Sequence, residues 1–294
     1  MKLAAIDIGS NAARLLISEA LEIDNKIVFN KINLIRVPLR LGFDVFETNI
    51  ISKNKMGMLL QTMKAFSHLL NVYQVEHVRV CATSAMRDAK NSQDIIRKTI
   101  LETGLDIQII SGDEEANIIF ENHIAEHLNK DHSYLYIDVG GGSTELTFFA
   151  EGILKYKESF NIGTIRLLKN KVQKKEWDVL KDHLKSNIKK SLPISAIGSG
   201  GNINKLFSLS RKKEGKSISL TELKEFEKMF SSLTLLERMQ QYKLREDRAD
   251  VIVPALQIYI NVMKWANIEE IFVPKIGLAD GLIQNLYTKV ISKN

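Results

Sequence analysis

The sequence predicts an α/β protein of two similarly built domains, and three observations support that prediction. The chain has 294 residues, 45% of them hydrophobic and 26% charged, which is typical of a globular protein with about two domains. Helical and strand-like patterns alternate along it, as they do where helices flank a central sheet. A segment near the N-terminus, AIDIGSNAARLLI (5–17), is also repeated as YIDVGGGSTELTFF (136–149). Because solenoid repeats recur every ~20–50 residues, this single distant repeat indicates two related domains.

Each repeated segment has the pattern of a strand, a glycine turn and a second strand, which predicts a β-hairpin with a polar tip. The aligned pairs at the two tips are Asp7 and Asp138, Gly9 and Gly140, and Asn11 and Gly142. We therefore expect both domains to start with the same hairpin.

The elements after each hairpin are predicted from their periodicity. The first half contains an extended segment at 26–37, a helix over 53–72, a strand at 77–82, a helix from 92, a strand near 106–110 and a helix from 112. The second half contains an extended segment at 152–162, a helix over 176–190, a strand at 194–198, helices near 202–209, 221–230 and 247–265, a strand at 270–273 and a helix from about 278. We place the boundary after the helix from 112, which gives domains 1–127 and 128–294, with a terminal helix that could pack back on the first domain.

Composition argues against a disulfide-stabilised protein and against a membrane protein, and it indicates a cytoplasmic location. The single cysteine, Cys81, cannot form an internal disulfide and fits a reducing cytoplasm, and we interpret it as a small buried side chain. No apolar run reaches membrane length, and Asp7, Asn11 and Arg14 interrupt any signal-peptide core near the N-terminus. The formal net charge of +6 suits anionic partners in general but identifies none. We expect a cytoplasmic protein with no membrane partner and no specific nucleic-acid partner, and a homodimer is left open.

The turn of the second hairpin has the composition of a phosphate-binding loop. Gly140, Gly141 and Gly142 can adopt positive φ and bring backbone N–H groups close to an anion. Ser143 and Thr144 add hydroxyl donors. A plain hairpin turn is the alternative, but one or two glycines suffice for a turn. The sequence therefore predicts phosphate binding at this loop.

Two aspartates suggest a metal site beside that phosphate. Asp7 and Asp138 would each end a buried strand, where a carboxylate is costly unless it is paired or bound to a metal. Mg²⁺ prefers a few carboxylates together with phosphate oxygens and waters, so we expect Mg²⁺ between them. The alternative for Asp7 is that it only hydrogen-bonds its own turn.

The segment IISGDEEANIIF (109–120) predicts a helix start that separates two glutamates. Ser111 and Glu114 have the spacing of a capping box, in which each side chain satisfies a backbone donor of the other residue. Glu115 lies about 100° further around the helix and is free to point elsewhere. A carboxylate there could orient an attacking water and accept its proton. A capped helix with no catalytic role is the alternative.

Seven ordered segments resemble the exopolyphosphatase / guanosine pentaphosphate phosphatase family. They are AIDIGSNAARLLI, ATSAMRDAKN, ISGDEEANIIF, IDVGGGSTEL, FNIGTIRL, IGSGGNI and RADVIVPAL. The resemblance extends from residue 4 to about residue 283. It implies an actin-like ATPase (ribonuclease H-like) fold of two related domains, with the active site in the cleft between them.

The resemblance also implies a role for individual residues. Glu115 resembles the catalytic base that positions water, and Glu145 lies near the metal. Phosphate-binding roles are implied for Asn11, Arg14, Arg87, Gly140, Gly141, Ser143, Arg166 and Arg248, and metal binding for Asp138 and Glu145. The two hairpin patterns described above add Gly142 to the predicted phosphate site and Asp7 to the predicted metal ligands.

The chain departs from the family pattern in two places. It resembles a short form without the C-terminal helical domain of many relatives, which argues against strong processivity on very long polymers. The segment GLADG (277–281) stands where the family usually has Gly-Leu-Arg-Glu-Gly. Ala279 therefore replaces an arginine, and we expect weaker or altered anion contacts there.

Three functions compete on this sequence. The leading one is a Mg²⁺-dependent hydrolase that removes terminal phosphate from inorganic polyphosphate or guanosine pentaphosphate. A small-metabolite kinase of the same fold is the second, although Glu115 suits water better than an acceptor hydroxyl. The third is a non-catalytic binder of polyphosphate or alarmone, which would leave Glu115, Asp138 and Glu145 without a role.

Two other segments have weaker interpretations. HIAEH (123–127) matches a zinc-hydrolase spacing, but no third ligand is identifiable, and we interpret it as an exposed helix face. KNKVQKKEW (169–177) is basic with one aromatic residue, and we interpret it as a solvated loop and helix start that could attract polyanions.

Overall fold

Two mixed β-sheets with flanking helices make up the fold in the computed structural model, which describes residues 1–24, 26–121, 131–188, 192–274 and 277–292. The chain divides into two units: described residues 1–121 and 277–292 form the first, and 131–274 form the second. The HIAEH histidines and the expected boundary at 127/128 lie outside the described residues. Among the helices that are described, none combines the length and apolar character needed to cross a membrane.

The first unit contains a sheet in the order β3-β2-β1-β4-β5. Its strands are β1 (Lys2–Ile8), β2 (Ala13–Ile23), β3 (Lys26–Val37), β4 (His77–Ala82) and β5 (Ile107–Ile109). Its helices are α1 (Gly42–Thr48), α2 (Lys53–Val72), α3 (Ser84–Asp88), α4 (Ser92–Thr103) and α5 (Gly112–Glu121).

The second unit contains a sheet in the order β10-β11-β9-β6-β7-β8. Its strands are β6 (Ser133–Val139), β7 (Thr144–Ala150), β8 (Ile153–Phe160), β9 (Ile194–Ser199), β10 (Ile218–Ser219) and β11 (Glu270–Phe272). Its helices are α6 (Thr164–Leu168), α7 (Lys174–Asn187), α8 (Gly201–Ser210), α9 (Leu220–Ser231), α10 (Leu235–Tyr242), α11 (Glu246–Ala249) and α12 (Ile252–Ala266). The last helix of the chain, α13 (Leu278–Ile291), belongs to the first unit.

The predicted repeat is confirmed by the strand order. Read from its β8 edge, the second sheet runs β8-β7-β6-β9-β11, which matches β3-β2-β1-β4-β5 strand for strand. In both sheets the first three strands are antiparallel and the next two are parallel. The turns also match, because the N–H of Gly9 donates to Ala12 O at 3.0 Å and that of Gly140 to Ser143 O at 2.9 Å. The two units are related actin-like α/β folds.

Helix α13 packs closely on α5 within the first unit. A methyl group at Gly281 would lie 2.2 Å from the carbonyl oxygen of Ile118, so only glycine allows this backbone approach. Leu282 and Ile283 are buried in the same apolar cluster as Ile118. Ala279 is also buried there, so the residue that replaces the family arginine is part of the core.

One predicted helix is interrupted in the structure. The helix expected over 247–265 is divided into α11 and α12, with Asp250 and Val251 between them. Pro254 explains the break, because it has no N–H to donate to the carbonyl of residue 250 but is tolerated in the first turn of α12. The short elements α1, α3, α6, α10 and β10 were absent from the prediction, since two to eight residues carry too little periodicity.

Candidate active site

Two carboxylates lie side by side at the end of the second unit's hairpin. Asp138 on β6 is the register partner of Glu145 on β7, and one oxygen of each lies within 4.8 Å of the other. Glu145 is only 3% exposed, and Ser159 Oγ donates to its Oε1 at 2.9 Å. Two anions this close, one of them buried, are unfavourable without a cation. Hard carboxylate oxygens of this kind suit Mg²⁺, so the pair fits the expected metal.

The glycine loop that follows Asp138 is held in place by α6. Three loop carbonyls accept hydrogen bonds from that helix: Gly140 O from Thr164 N–H at 3.0 Å, Gly141 O from Ile165 N–H at 2.8 Å, and Gly142 O from Arg166 Nε at 2.7 Å. The carbonyls are therefore occupied on the helix side. The predicted phosphate-binding residue Arg166 is in direct contact with the predicted phosphate loop.

Gly163, immediately before α6, is a site residue that our reading of the sequence missed. A methyl group on it would lie 2.4 Å from the carbonyl carbon of Gly142 and 2.5 Å from that of Gly141. These are backbone atoms that cannot move without the loop moving. The segment FNIGTIRL therefore needs its glycine, because the loop packs directly on the backbone of residue 163.

A second glycine turn lies on the other side of Asp138. Ser199 on β9 pairs with Asp138, and Gly200 follows with φ of +106°, a conformation that favours glycine. A methyl group on Gly201 would lie 2.2 Å from Nη1 of Arg248, so the guanidinium covers the start of α8. Arg248 also donates to Asn202 Oδ1 at 3.3 Å. A predicted substrate arginine therefore lies beside the turn that adjoins Asp138.

The Tyr259 hydroxyl hydrogen-bonds the backbone on both strands beside Asp138, at Val139 of β6 and Ser199 of β9. It is fully buried, and its hydroxyl donates to Ser199 O at 2.5 Å. The backbone of Val139 also hydrogen-bonds this hydroxyl, while burial, and next the charge of Asp138, raise the tyrosine pKa well above its usual value. The hydroxyl therefore stays protonated and ties β6 to β9 next to Asp138. No short motif marks a tyrosine so distant in sequence from Ser199.

The corresponding hairpin of the first unit carries an ion pair instead of two acids. Arg14 is the register partner of Asp7, as Glu145 is of Asp138. Arg14 Nη1 lies 2.6 Å from Oδ2 of Asp7, which is buried. This arginine supplies a cation for the Asp7 carboxylate without any metal. The metal role of Asp7 and the phosphate role of Arg14 stay predictions.

The start of α5 separates the two glutamates, although the Glu114 side chain has a different partner from the predicted one. The N–H of Glu114 donates to Ser111 Oγ at 3.0 Å, which confirms the Ser111 half of the predicted capping box. The carboxylate of Glu114 accepts from buried Arg79 at 3.0 Å, and Arg79 also donates to Asn285 of α13 at 2.6 Å. Glu115, by contrast, is 9% exposed. Glu114 thus has a structural role, while the catalytic role of Glu115 stays a prediction.

Two further predicted residues lie near the polar end of the first sheet. Arg87 Nη1 donates to the carbonyl of Ile110 at 2.9 Å, so it supports the chain just before α5. Asn11 is in the first hairpin turn, and its carbonyl accepts from Arg40 N–H at 2.9 Å. Neither contact tests the phosphate-binding roles. Nearby Cys81 is buried, and that burial raises the pKa of its thiol to about 11, so it is not a nucleophile near neutral pH.

Comparisons with known proteins agree on one family. A model of the Ppx/GppA phosphatase family matches residues 21–290. The bifunctional 3-dehydroquinate synthase/phosphatase of Fusobacterium nucleatum is 32% identical in an alignment that covers 89% of this chain and 43% of that protein. The chain therefore spans less than half the length of this curated relative.

Solved structures give the same result over whole chains. A Ppx/GppA family member from Aquifex aeolicus has a TM-score of 0.77 and 25% identity, covering 100% of this chain and 99% of its own. An exopolyphosphatase from Cytophaga hutchinsonii has a TM-score of 0.84 and 25% identity, covering 99% of this chain and 98% of its own.

Proposed function

This chain belongs to the Ppx/GppA phosphatase family, and we propose that it hydrolyses phosphoanhydrides, releasing terminal phosphate from inorganic polyphosphate or guanosine pentaphosphate. The observation that best supports this proposal is the pairing of Asp138 with Glu145 beside a glycine loop that α6 holds in place. The similarity to the Cytophaga hutchinsonii exopolyphosphatase supports the same reaction class.

Substrate binding would depend on the second unit's loop and its arginines. The terminal phosphate would lie against the loop formed by Gly140, Gly141, Gly142 and Ser143, with Arg166 and Arg248 supplying positive charge. Asp138 and Glu145 would hold Mg²⁺, with Asp7 as the predicted third ligand. When bound, the ion would neutralise negative charge on the phosphates. Asn11, Arg14 and Arg87 are the predicted anion contacts of the first unit.

Glu115 would act as the general base. It would accept the proton of the attacking water as the new P–O bond forms, and the bond to the bridging oxygen would break on the opposite side of the phosphorus. The shortened chain, or guanosine tetraphosphate, would leave with the electron pair of that bond. Because phosphoryl-transfer transition states are loose, orientation of water and neutralisation of charge would supply most of the acceleration.

Phosphate release from three substrates tests the proposal. Long-chain polyphosphate, guanosine pentaphosphate and ATP would be incubated with the protein and Mg²⁺, and released phosphate measured over time. We expect release from at least one of the first two substrates at a rate well above that from ATP. Asp138→Asn should lower the rate by about 10²-fold or more, because the metal pair loses one of its charges.

Two results would overturn the proposal. Stoichiometric transfer of phosphate from ATP to a sugar or small acid would identify a kinase. Tight binding of polyphosphate or guanosine pentaphosphate with no release above the Asp138→Asn background would identify a non-catalytic binder.

A further inference from the structure

The chain leaves the glycine loop through a strongly basic segment. Residues 166–175, RLLKNKVQKK, contain five cations and no acid, and no acid occurs from 161 onward until Glu176. We infer that this basic segment (166–175) binds the distal phosphates of a linear polyphosphate whose terminal phosphate occupies the glycine loop. The inference rests on the proposed function and deepens it by naming an inorganic polyanion, not a nucleotide, as the substrate class.

The basic segment is joined directly to the loop. Its first cation, Arg166, donates from Nε to Gly142 O at 2.7 Å. The chain then turns back on itself, because the N–H of Lys171 donates to the carbonyl of Arg166 at 2.8 Å. The backbone of Lys171 is therefore next to that of Arg166. A polyanion extending from the loop past Arg166 would meet further cations at once.

Three lysines of the segment are exposed and contribute little to the fold. Lys171, Lys174 and Lys175 are exposed, and the latter two occupy the first two positions of α7. Positive charge at a helix N-terminus opposes the helix dipole, so both lysines are placed against local stability. The next acid in the sequence, Glu176, already accepts from Gln173 N–H in the capping box of α7. The next acid after it, Asp178, is exposed on α7 four residues after Lys174, so the two lysines at the helix start face at most one further carboxylate on their own helix. The segment keeps an excess of positive charge, which a polyphosphate chain would offset.

The same segment offers neither a carboxylate nor an exposed aromatic ring for binding a nucleoside. Its neighbouring aromatic residue, Trp177, packs edge-to-face on Trp265 with ring centroids 5.8 Å apart and joins the apolar core. It is thus not a stacking platform for a base. A ribose hydroxyl is typically bound by a carboxylate, and the segment contains no carboxylate; its side-chain acceptors are the amide oxygens of Asn170 and Gln173. Repeated cations suit repeated phosphates.

A triple substitution with a matched control tests the inference. The test variant is Lys171→Gln/Lys174→Gln/Lys175→Gln. The control, Lys213→Gln/Lys216→Gln/Lys224→Gln, removes the same charge from three other exposed lysines of the second unit. Both would be assayed with long-chain polyphosphate and with inorganic tripolyphosphate. Binding of the long chain would also be measured in EDTA, without turnover.

We expect the test variant to raise KM for long-chain polyphosphate about tenfold, because each exposed ion pair changes affinity by roughly two- to fivefold. The kcat, the KM for tripolyphosphate and the control variant should change less than about twofold, and the difference should shrink as salt screens the lysines. The melting temperature should not fall, since the unfavourable interaction of the lysines with the helix dipole is removed.

Three results would overturn the inference: equal changes in KM for the test and control variants, equal changes for long-chain polyphosphate and tripolyphosphate, or no change in KM. If the wild type releases no phosphate, the proposed function fails, and the EDTA binding comparison still decides this inference by the same criteria.

Discussion

Neutralising Glu145 should stabilise the metal-free protein, although it would damage the proposed site. Within 4.8 Å of each other, two unit charges repel by at least about 3 kcal/mol if the effective dielectric constant is about 20. Asp138 is only half-buried, so solvent reduces this figure to about 1–2 kcal/mol. Glutamine keeps the acceptor for Ser159 and the side-chain volume. In EDTA, Glu145→Gln should therefore melt about 2–6 °C above the wild type.

Mg²⁺ should reverse that order. At a concentration near a hundred times its Kd, a bound ion stabilises the native state by about 2.7 kcal/mol, which is several degrees in melting temperature. The wild type should gain this shift, and Glu145→Gln should gain little of it. Thermal unfolding of both proteins, followed by circular dichroism in EDTA and in a Mg²⁺ series, measures the crossing.

The first hairpin supplies a control in which the expected change in melting temperature has the opposite sign. Asp7 occupies the position of Asp138 in the other hairpin, but its partner is Arg14 at 2.6 Å. Asp7→Asn should lower the melting temperature even in EDTA, since a partly buried ion pair is broken. A smaller Mg²⁺ shift in Asp7→Asn would support its predicted metal role. If Glu145→Gln does not rise above the wild type in EDTA, or if Mg²⁺ shifts both alike, the two carboxylates do not share a cation.

Three further substitutions separate catalysis, stability and loop geometry. Glu115→Gln should lower kcat about 10²–10⁴-fold by removing the base, while polyphosphate binding persists. Single-turnover phosphate release and equilibrium binding measure the two effects, and a near-normal kcat would place the base elsewhere. Glu114→Gln should keep kcat but lose about 1–3 kcal/mol in denaturant unfolding, because buried Arg79 loses its counter-ion; an inactive variant of normal stability would reverse the two roles. Gly163→Ala should reduce kcat/KM about 10–100-fold by displacing the loop. Gly57→Ala, with open space around it, should keep full activity and gain up to about 1 kcal/mol, and equal behaviour of the two variants would contradict the steric argument.

The sequence predicted those parts of the fold in which periodicity is long and local. The helix at 53–72 and the strand at 77–82 match α2 and β4, because their buried positions repeat over several turns or alternations. Helix α6 has only five residues and is stabilised by carbonyls of the glycine loop, which no local pattern encodes. The contact of Tyr259 with Ser199 joins residues 60 positions apart. Such contacts depend on tertiary packing and are not visible in a single sequence.

The ion pair of Asp7 with Arg14 was, in contrast, within reach of sequence reasoning. The two hairpin turns have equal lengths, so Asp7 is opposite Arg14 and Asp138 is opposite Glu145. Extending the alignment of the two repeated segments to these partners compares an arginine with a glutamate. That single difference gives the two related hairpins opposite electrostatic requirements. One is neutral by itself, and the other carries two negative charges that a cation can offset. The duplicated fold thus supplies the same hairpin twice, and the residue opposite the aspartate decides which copy presents two neighbouring carboxylates and which presents an ion pair.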